Sequence, residues 1–234
     1  PLKLIAMYHD GAASRNTNFQ DAAGGFYNAT AGNIARANFG FTARAEYKVM
    51  GDWDAYKDFT AIGTKETLLV IGGGLDWTQG QFGDVNPDPL VVTGVGGDRV
   101  WATIDAQLEL PDPAIGVYGA IIGDYTSFND EGLLADDSRF NWGFLIQAGY
   151  AFTPEWELYG RYDMVKLDDD FVGGEDTKHE MLIGVNYYIK GHKAKLSFDV
   201  GYLPNGGTSG LSGIGILSGD EDQIFGRAQF QLLI

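Results

Sequence analysis

The sequence predicts an all-β fold, a transmembrane antiparallel up-and-down β-barrel with ten strands visible. Three observations lead there. Ten stretches of roughly nine to fourteen residues alternate apolar and polar side chains along their length, from the start of the chain to the closing run from Gln223 to Ile234. A strand tilted across a bilayer needs about 9 to 11 residues, whereas strands of soluble sheets average about five or six. The connections alternate between short and long, and aromatic residues gather near the strand ends.

Composition narrows the class. The 234 residues show no linker or composition break, so residues 1–234 read as one domain. No apolar run approaches the ~20 residues of a membrane helix, and mean hydropathy is slightly negative, as expected when only every second residue meets lipid. Cysteine is absent, which removes thiolate metal sites and thiol catalysis and suits a protein that crosses an oxidising periplasm. A net charge of −16 speaks against nucleic acid and against docking on anionic lipid. Much of the acid lies in the runs 84–88, 130–137, 168–176 and 220–222. They read as solvated loops; the sharper reading is divalent cations bridging these outer loops to anionic surface lipid. The chain opens on Pro1 and shows no charged and apolar leader pattern.

Alternation assigns faces strand by strand. Strand one carries Lys3 on its polar side. In strand two, Phe39, Phe41, Ala43, Ala45, Tyr47 and Val49 oppose Asn38, Thr42, Arg44, Glu46 and Lys48. Strand three is apolar or small on both faces from Leu68 to Gly74, and only Asp76 marks its polar side. Strand four sets Val100, Ala102, Ile104, Ala106, Leu108 and Leu110 against Trp101, Thr103, Asp105, Gln107 and Glu109. Strand five is again ambiguous from Ile115 to Ile122, with Asp124 as the polar marker. Strand seven offers Glu157, Arg161 and Asp163. Strand eight places Met181, Ile183, Val185, Tyr187 and Ile189 against Glu180, Asn186 and Lys190. Strand nine places Leu196, Phe198, Val200 and Tyr202 against Lys195, Ser197 and Asp199, and strand ten sets Ile224, Ala228, Phe230, Leu232 and Ile234 against Arg227, Gln229 and Gln231.

The connections 111–113, 153–155 and 190–193 are short, whereas 14–33, 79–97 and 204–222 are long. Outer-membrane barrels have short periplasmic turns and long external loops. The exception is the longer connection 50–66, which parity places on the periplasmic side. Trp53, Trp77, Trp101, Trp142 and Trp156 lie at or near expected strand ends, with Tyr150, Phe152, Tyr202 and Phe230 near others, as amphipathic rings do at the headgroup level. Alternation alone does not say which face points outward. Strand length and end-placed rings favour lipid over a soluble barrel, whose apolar interior would demand a large ligand cavity.

The segment Gly51-Asp52-Trp53-Asp54-Ala55-Tyr56-Lys57-Asp58-Phe59-Thr60, followed by Leu68-Leu69-Val70-Ile71-Gly72-Gly73-Gly74, resembles the phosphate-selective porin O and P family and its relatives among planctomycete-type porins. So do the run from Gly184 to Leu196 and the ending Arg227-Ala228-Gln229-Phe230-Gln231-Leu232-Leu233-Ile234. The resemblance implies a sixteen-stranded, usually trimeric barrel in the outer membrane of a diderm bacterium, bounded by outer-membrane lipid and passing small hydrophilic solutes or ions. It makes the ten strands the C-terminal part of that barrel, although a closed ten-strand barrel would show the same parity.

Phosphate selectivity does not carry over. Selective members line the pore with arginines and lysines, whereas here the polar faces offer Lys3, Arg44, Lys48, Arg161, Lys190, Lys195 and Arg227 against Glu46, Asp76, Asp105, Glu109, Asp124, Glu157, Asp163, Glu180 and Asp199. Such a mixed lining predicts weak cation preference or little selectivity. Arg44, Arg161 and Arg227 facing Glu46, Asp105 and Asp163 are candidates for a transverse field across a constriction, or for salt bridges bracing the wall. No cofactor and no catalytic residue is expected. The alternatives are an omptin-like barrel hydrolase built on His9 or His179, whose neighbours lack that family's Asp-x-His spacing, and a structural or adhesive surface barrel. His192 sits in a turn, Gly72 to Gly74 lack the spacing of a dinucleotide loop, and Asp168 to Asp170 lack the glycine and glutamate of a calcium-binding hand. Small residues in that strand instead face a neighbouring subunit or give room to a pore loop.

Overall fold

A computed structural model describes residues 1–9, 37–56, 59–80, 97–128, 137–171, 175–191, 193–207 and 221–233. Its strands are β1 (Leu2–His9), β2 (Ala37–Met50), β3 (Leu68–Gly80), β4 (Gly97–Pro111), β5 (Ala114–Phe128), β6 (Ser138–Ala151), β7 (Trp156–Lys166), β8 (Thr177–Tyr188), β9 (Ala194–Leu203) and β10 (Gln223–Leu232). They form one sheet in chain order, every neighbouring pair antiparallel. Each strand hydrogen-bonds to the next along most of its length, as alternation with short reversals requires. The sheet does not close on itself: β1 and β10 are its two edges.

Exposure settles which face is which. Ile104 is 69% exposed in the middle of β4, and Leu4, Ile183 and Ile224 are as open on their own strands. Their polar neighbours are covered, Asp105 to 5% and Glu109 to 1% exposed. A water-soluble sheet would reverse this arrangement, because burying apolar area is what stabilises it. Here the apolar face is the outer one, which only a lipid surround makes favourable. Along β6 the outward rings Phe140 and Tyr150 are ten residues apart. At ~3.3 Å per residue and a tilt of about 45° they stand about 23 Å apart across the membrane, close to the ~25 Å apolar band of such barrels. Tyr8, Phe39, Phe41 and Trp77 cluster at one end with ring separations of 5.1 to 6.2 Å, and Trp156 packs on Tyr187 at 4.6 Å at the other.

Two expectations about these faces need correction. Trp53, expected at the headgroup level, is not part of the outer rings and sits beside the Lys3 ammonium at 3.8 Å. Trp101 lies on the polar face where alternation places it, with the Arg99 guanidinium 4.1 Å from its ring centre. Nor does β1 alternate cleanly. Lys3 and His9 share their face with Ile5 and Met7, so both faces of this edge strand are largely apolar.

Residues 112–113, 152–155 and 189–193 join strands at one end of the sheet, as do the longer residues 51–67. This last connection does not run away from the sheet; it folds back over the polar face of β3 to β5. Gly51, at φ 81°, starts the reversal, and a Cβ there would lie 2.8 Å from the Thr67 carbonyl oxygen, so a side chain is excluded on both counts. Thr60 and Ala61 are buried against Gly116, whose missing Cβ would lie 3.0 Å from the Phe59 carbonyl oxygen. Leu68 and Val70, inward-facing and fully covered, complete a small apolar core beneath the segment. Those two apolar residues made β3 unreadable as an alternating strand; they face inward because the connection covers them.

Gly72 has a separate role. On the polar face it lies between Arg44 of β2 and Asp105 of β4, and a Cβ would sit 2.5 Å from Arg44 Nη2 and 2.8 Å from Asp105 Oδ1. The guanidinium crosses β3 through the space that glycine leaves. Of the two readings of the glycine run, room on the inner face is what Gly72 provides, although its occupant is a side chain and not a loop.

Three substitutions test these assignments in protein refolded into lipid bilayers. Ile104→Arg on the outer face is expected to cost about 2–4 kcal/mol of folding stability, read from the denaturant midpoint, and Thr103→Arg on the inner face much less; equal losses would contradict the assignment of faces. Gly72→Val is expected to cost about 1.5–3 kcal/mol by expelling the guanidinium from Asp105, with a smaller loss in an Arg44→Met, Asp105→Leu background where no ion pair remains to break.

Candidate pore surface

The inward side chains form three groups at different positions on the polar face. The first lies under residues 51–67. Arg44 donates through Nη1 and Nη2 to the two oxygens of Asp105 at 2.7 and 2.9 Å, and through Nε to Glu46 Oε1 at 2.9 Å. This fork is the geometry in which guanidinium and carboxylate bind most strongly. The Tyr56 hydroxyl donates to the same Glu46 oxygen at 3.2 Å. Burial is the main cause that pushes the Tyr56 pKa above its ordinary value, so the hydroxyl stays a donor at neutral pH. Thr64 donates to Glu109 Oε2 at 2.5 Å and Gln107 to Glu109 Oε1 at 2.7 Å. The connection is therefore held to the wall by hydroxyls bonding two carboxylates. Lys48 reaches Asp52 at 3.4 Å near the turn.

The second group spans β7 to β10. Arg227 donates to Asp199 Oδ2 from Nη2 at 2.8 Å and from Nε at 3.1 Å, and the Tyr159 hydroxyl donates to the same oxygen at 2.8 Å. Arg161 bonds Asp163 at 2.8 Å, two residues along its own strand. Asp163 is the register partner of Glu180, so like charges stand opposite each other with Arg161 close by. Glu157 accepts from Asn186 at 2.8 Å and from Tyr188 at 2.7 Å, and Ser197 donates to Asn186 at 2.5 Å. Lys195 lies 5.7 Å from the Tyr188 ring centre.

The third group lies toward the long connections. Arg99 holds Asp124 in a fork at 2.8 and 2.7 Å, with Arg139 3.9 Å away. His9 Nε2 lies 2.9 Å from Asp76 and 3.1 Å from the Thr42 hydroxyl, which also donates to Asp76 at 2.5 Å. A hydroxyl–imidazole–carboxylate relay needs the two partners on different ring nitrogens. Here both contact Nε2, so the arrangement is a hydrogen-bonded cluster and not a relay. His179 lies on the outer face, where Nδ1 is 2.9 Å from the Tyr162 hydroxyl, on the face opposite to Asp163 and Glu180. Asp10 and His192 lie outside the described residues.

All thirteen residues expected on the polar face are found there: Arg44, Glu46, Lys48, Asp76, Asp105, Glu109, Asp124, Arg161, Asp163, Glu180, Lys195, Asp199 and Arg227. The expected partnership of three arginines with Glu46, Asp105 and Asp163 holds for Arg44 and Arg161, whereas Arg227 takes Asp199. Each pair lies along the wall, on one strand or on strands up to two apart. Sequence reading missed Arg99, Arg139 and Lys178, although Arg99 lies two residues before Trp101 on a face already recognised as polar. Lys190 falls in the turn beyond β8. Among the described strands the polar face thus carries nine basic and nine acidic residues, in place of the seven and nine expected. Asp168, Asp169 and Asp170 bring carboxylate oxygens within 4.8 Å of one another, a spacing that could hold a cation. The runs 84–88 and 130–136, and residue 220, lie outside the described residues.

The comparisons with known proteins agree with this geometry. The family model of phosphate-selective porin O and P matches residues 137–208, from the entry to β6 through β9. A protein of Aquifex aeolicus (strain VF5), described as "Uncharacterized protein", is 29% identical over 176 residues, which cover 70% of this chain and 38% of that protein. The chain therefore spans well under half the length of the curated relative it matches. No solved structure matches. Residues 137–208 are thus similar to the phosphate-selective porin O and P family, whose description is that of a channel, and the single up-and-down sheet has the strand order of a porin-like wall that these ten strands do not close.

Proposed function

We propose that this chain forms much of the wall of an outer-membrane porin, a passive and weakly selective diffusion channel for small hydrophilic solutes or ions. The observation that carries the reading is the inverted sheet, with an apolar outer face and a largely polar inner face whose charges balance along the described strands. A polar wall keeps a water column continuous, and a balanced one gives neither sign of ion a lasting advantage. Paired charges along the wall also brace it, since every arginine fork spends its donors on a neighbouring carboxylate.

The proposal includes a wider barrel than ten strands. Unpaired backbone groups in hydrocarbon cost several kcal/mol each, so β1 and β10 require partners within the membrane. Further strands completing a sixteen-stranded ring meet that need. We extend the proposal to a homotrimer. Its support is a furrow on the outer face of β1 to β4, floored by Ala6, Ala43, Ala45, Gly73 and Ala102, where small side chains permit close approach by another subunit. Residues 51–67 narrow the channel from the short-turn end.

Planar-bilayer recording with the whole protein tests the channel. Ion conductance is expected, with a reversal potential close to zero in a salt gradient; correctly folded protein that passes no current would sink the proposal, and strong anion selectivity would refute the balanced lining. Tyr56→Phe combined with Thr64→Val removes both hydroxyl anchors of the inward segment to Glu46 and Glu109. The double variant is expected to show a larger or noisier open current with the strands intact by circular dichroism, and an unchanged trace would mean that the segment does not narrow the path.

A further inference from the structure

One stretch of the polar face is not polar. On β5 the inward row runs Tyr118, Ala120, Ile122, and Ala120 is flanked on β6 by Leu145, also inward. Ile122 is 49% exposed and Phe59, brought in by the connection before β3, is 54% exposed. The Phe59 ring packs against Tyr118 in a tilted contact, with centres 4.7 Å apart and planes inclined by 54°. From Tyr118 to Ile122 the track is about 13 Å long at ~3.3 Å per residue. Exposed rings and branched carbons are favourable on the lipid face, but on a water-facing wall they cost free energy unless something covers them.

The borders of the track say what fits. Gln107 and Gln147 are the register partners of Tyr118 on either side, Asp105 that of Ala120, and Asp163 that of Leu145. Both hydrogen bonds that Glu46 accepts fall on Oε1, leaving Oε2 as a further acceptor nearby. The Tyr118 hydroxyl has no hydrogen-bond partner among the described residues. The nearest cations, Arg44 and Arg161, are each bonded to carboxylates, so an anion gains no net attraction here. An apolar strip edged by amides and carboxylates matches a molecule with C–H faces and O–H edges.

We propose that Phe59, Tyr118 and Ile122 form a stacking track for the pyranose rings of a neutral sugar, with the part-exposed Gln147 and Asp163 accepting or donating hydrogen bonds at the ring edges. This rests on the pore reading and names its solute class. It also accounts for the apolar residues on the inner side of β5, which the diffusion of ions alone does not require.

The test uses the whole protein in planar bilayers with a linear glucose trisaccharide, glycerol and inorganic phosphate as probes. The trisaccharide is expected to interrupt the ion current in a concentration-dependent way, and glycerol and phosphate are not. Phe59→Ala and Ile122→Ser are each expected to weaken the blocking constant by about tenfold, the loss of one ring contact of about 1.4 kcal/mol. Titration calorimetry on detergent-folded protein reads the same binding without any current. Heat of binding that is lost in both variants, in protein that passes no ions, would uphold the track and overturn the pore. Conductance without sugar block or heat would overturn the track and leave the pore standing. Block that is unchanged in both variants, or caused by phosphate alone, also overturns it.

Discussion

A backbone amide or carbonyl in hydrocarbon has no water to bond, and the rest of this molecule follows from that constraint. Everywhere but at the outer edges of β1 and β10, the ten strands satisfy it by pairing with their neighbours in chain order, which is the arrangement that needs the shortest reversals. Once the backbone is paired, period-two alternation sends every second side chain outward, and the surround decides which set that must be. The exposed isoleucines of β4, β5 and β8 and the covered carboxylates of β4, β7 and β9 are two results of the same solvent inversion.

That inversion moves the polar chemistry to the concave side, where charges would be costly if left alone. Arg44, Arg99 and Arg227 each answer a carboxylate through more than one donor, and neighbouring hydroxyls and amides take up further acceptors. The Arg44 bridge shows how local backbone chemistry sets this up. It spans β2 to β4 because β3 offers a hydrogen atom at Gly72 where any other residue would place carbon.

Strand number, order, outward sets and the thirteen inward residues were legible in the sequence because alternation is local: each side chain's face depends only on its parity. What failed to show was non-local. Leu68 and Val70 break the alternating pattern because residues 51–67 return to cover them, and nothing in their own strand announces that. Trp53 lies near a strand end in the sequence, but its place is set by contact with Lys3, a residue of another strand. Arg99 was available to the same parity rule and was passed over at a strand end. The charge balance shifted accordingly, from a slight acidic excess to equality.

The covering segment enters from the short-turn end, with its attachments to Glu46 and Glu109 at that same end. Its ring contact, Phe59 on Tyr118 of β5, adds an apolar attachment to these polar ones. The Arg99–Asp124 pair toward the other end of the sheet shares no residue with any of them. The segment can therefore be retuned through Tyr56, Phe59 and Thr64 while that pair keeps its geometry.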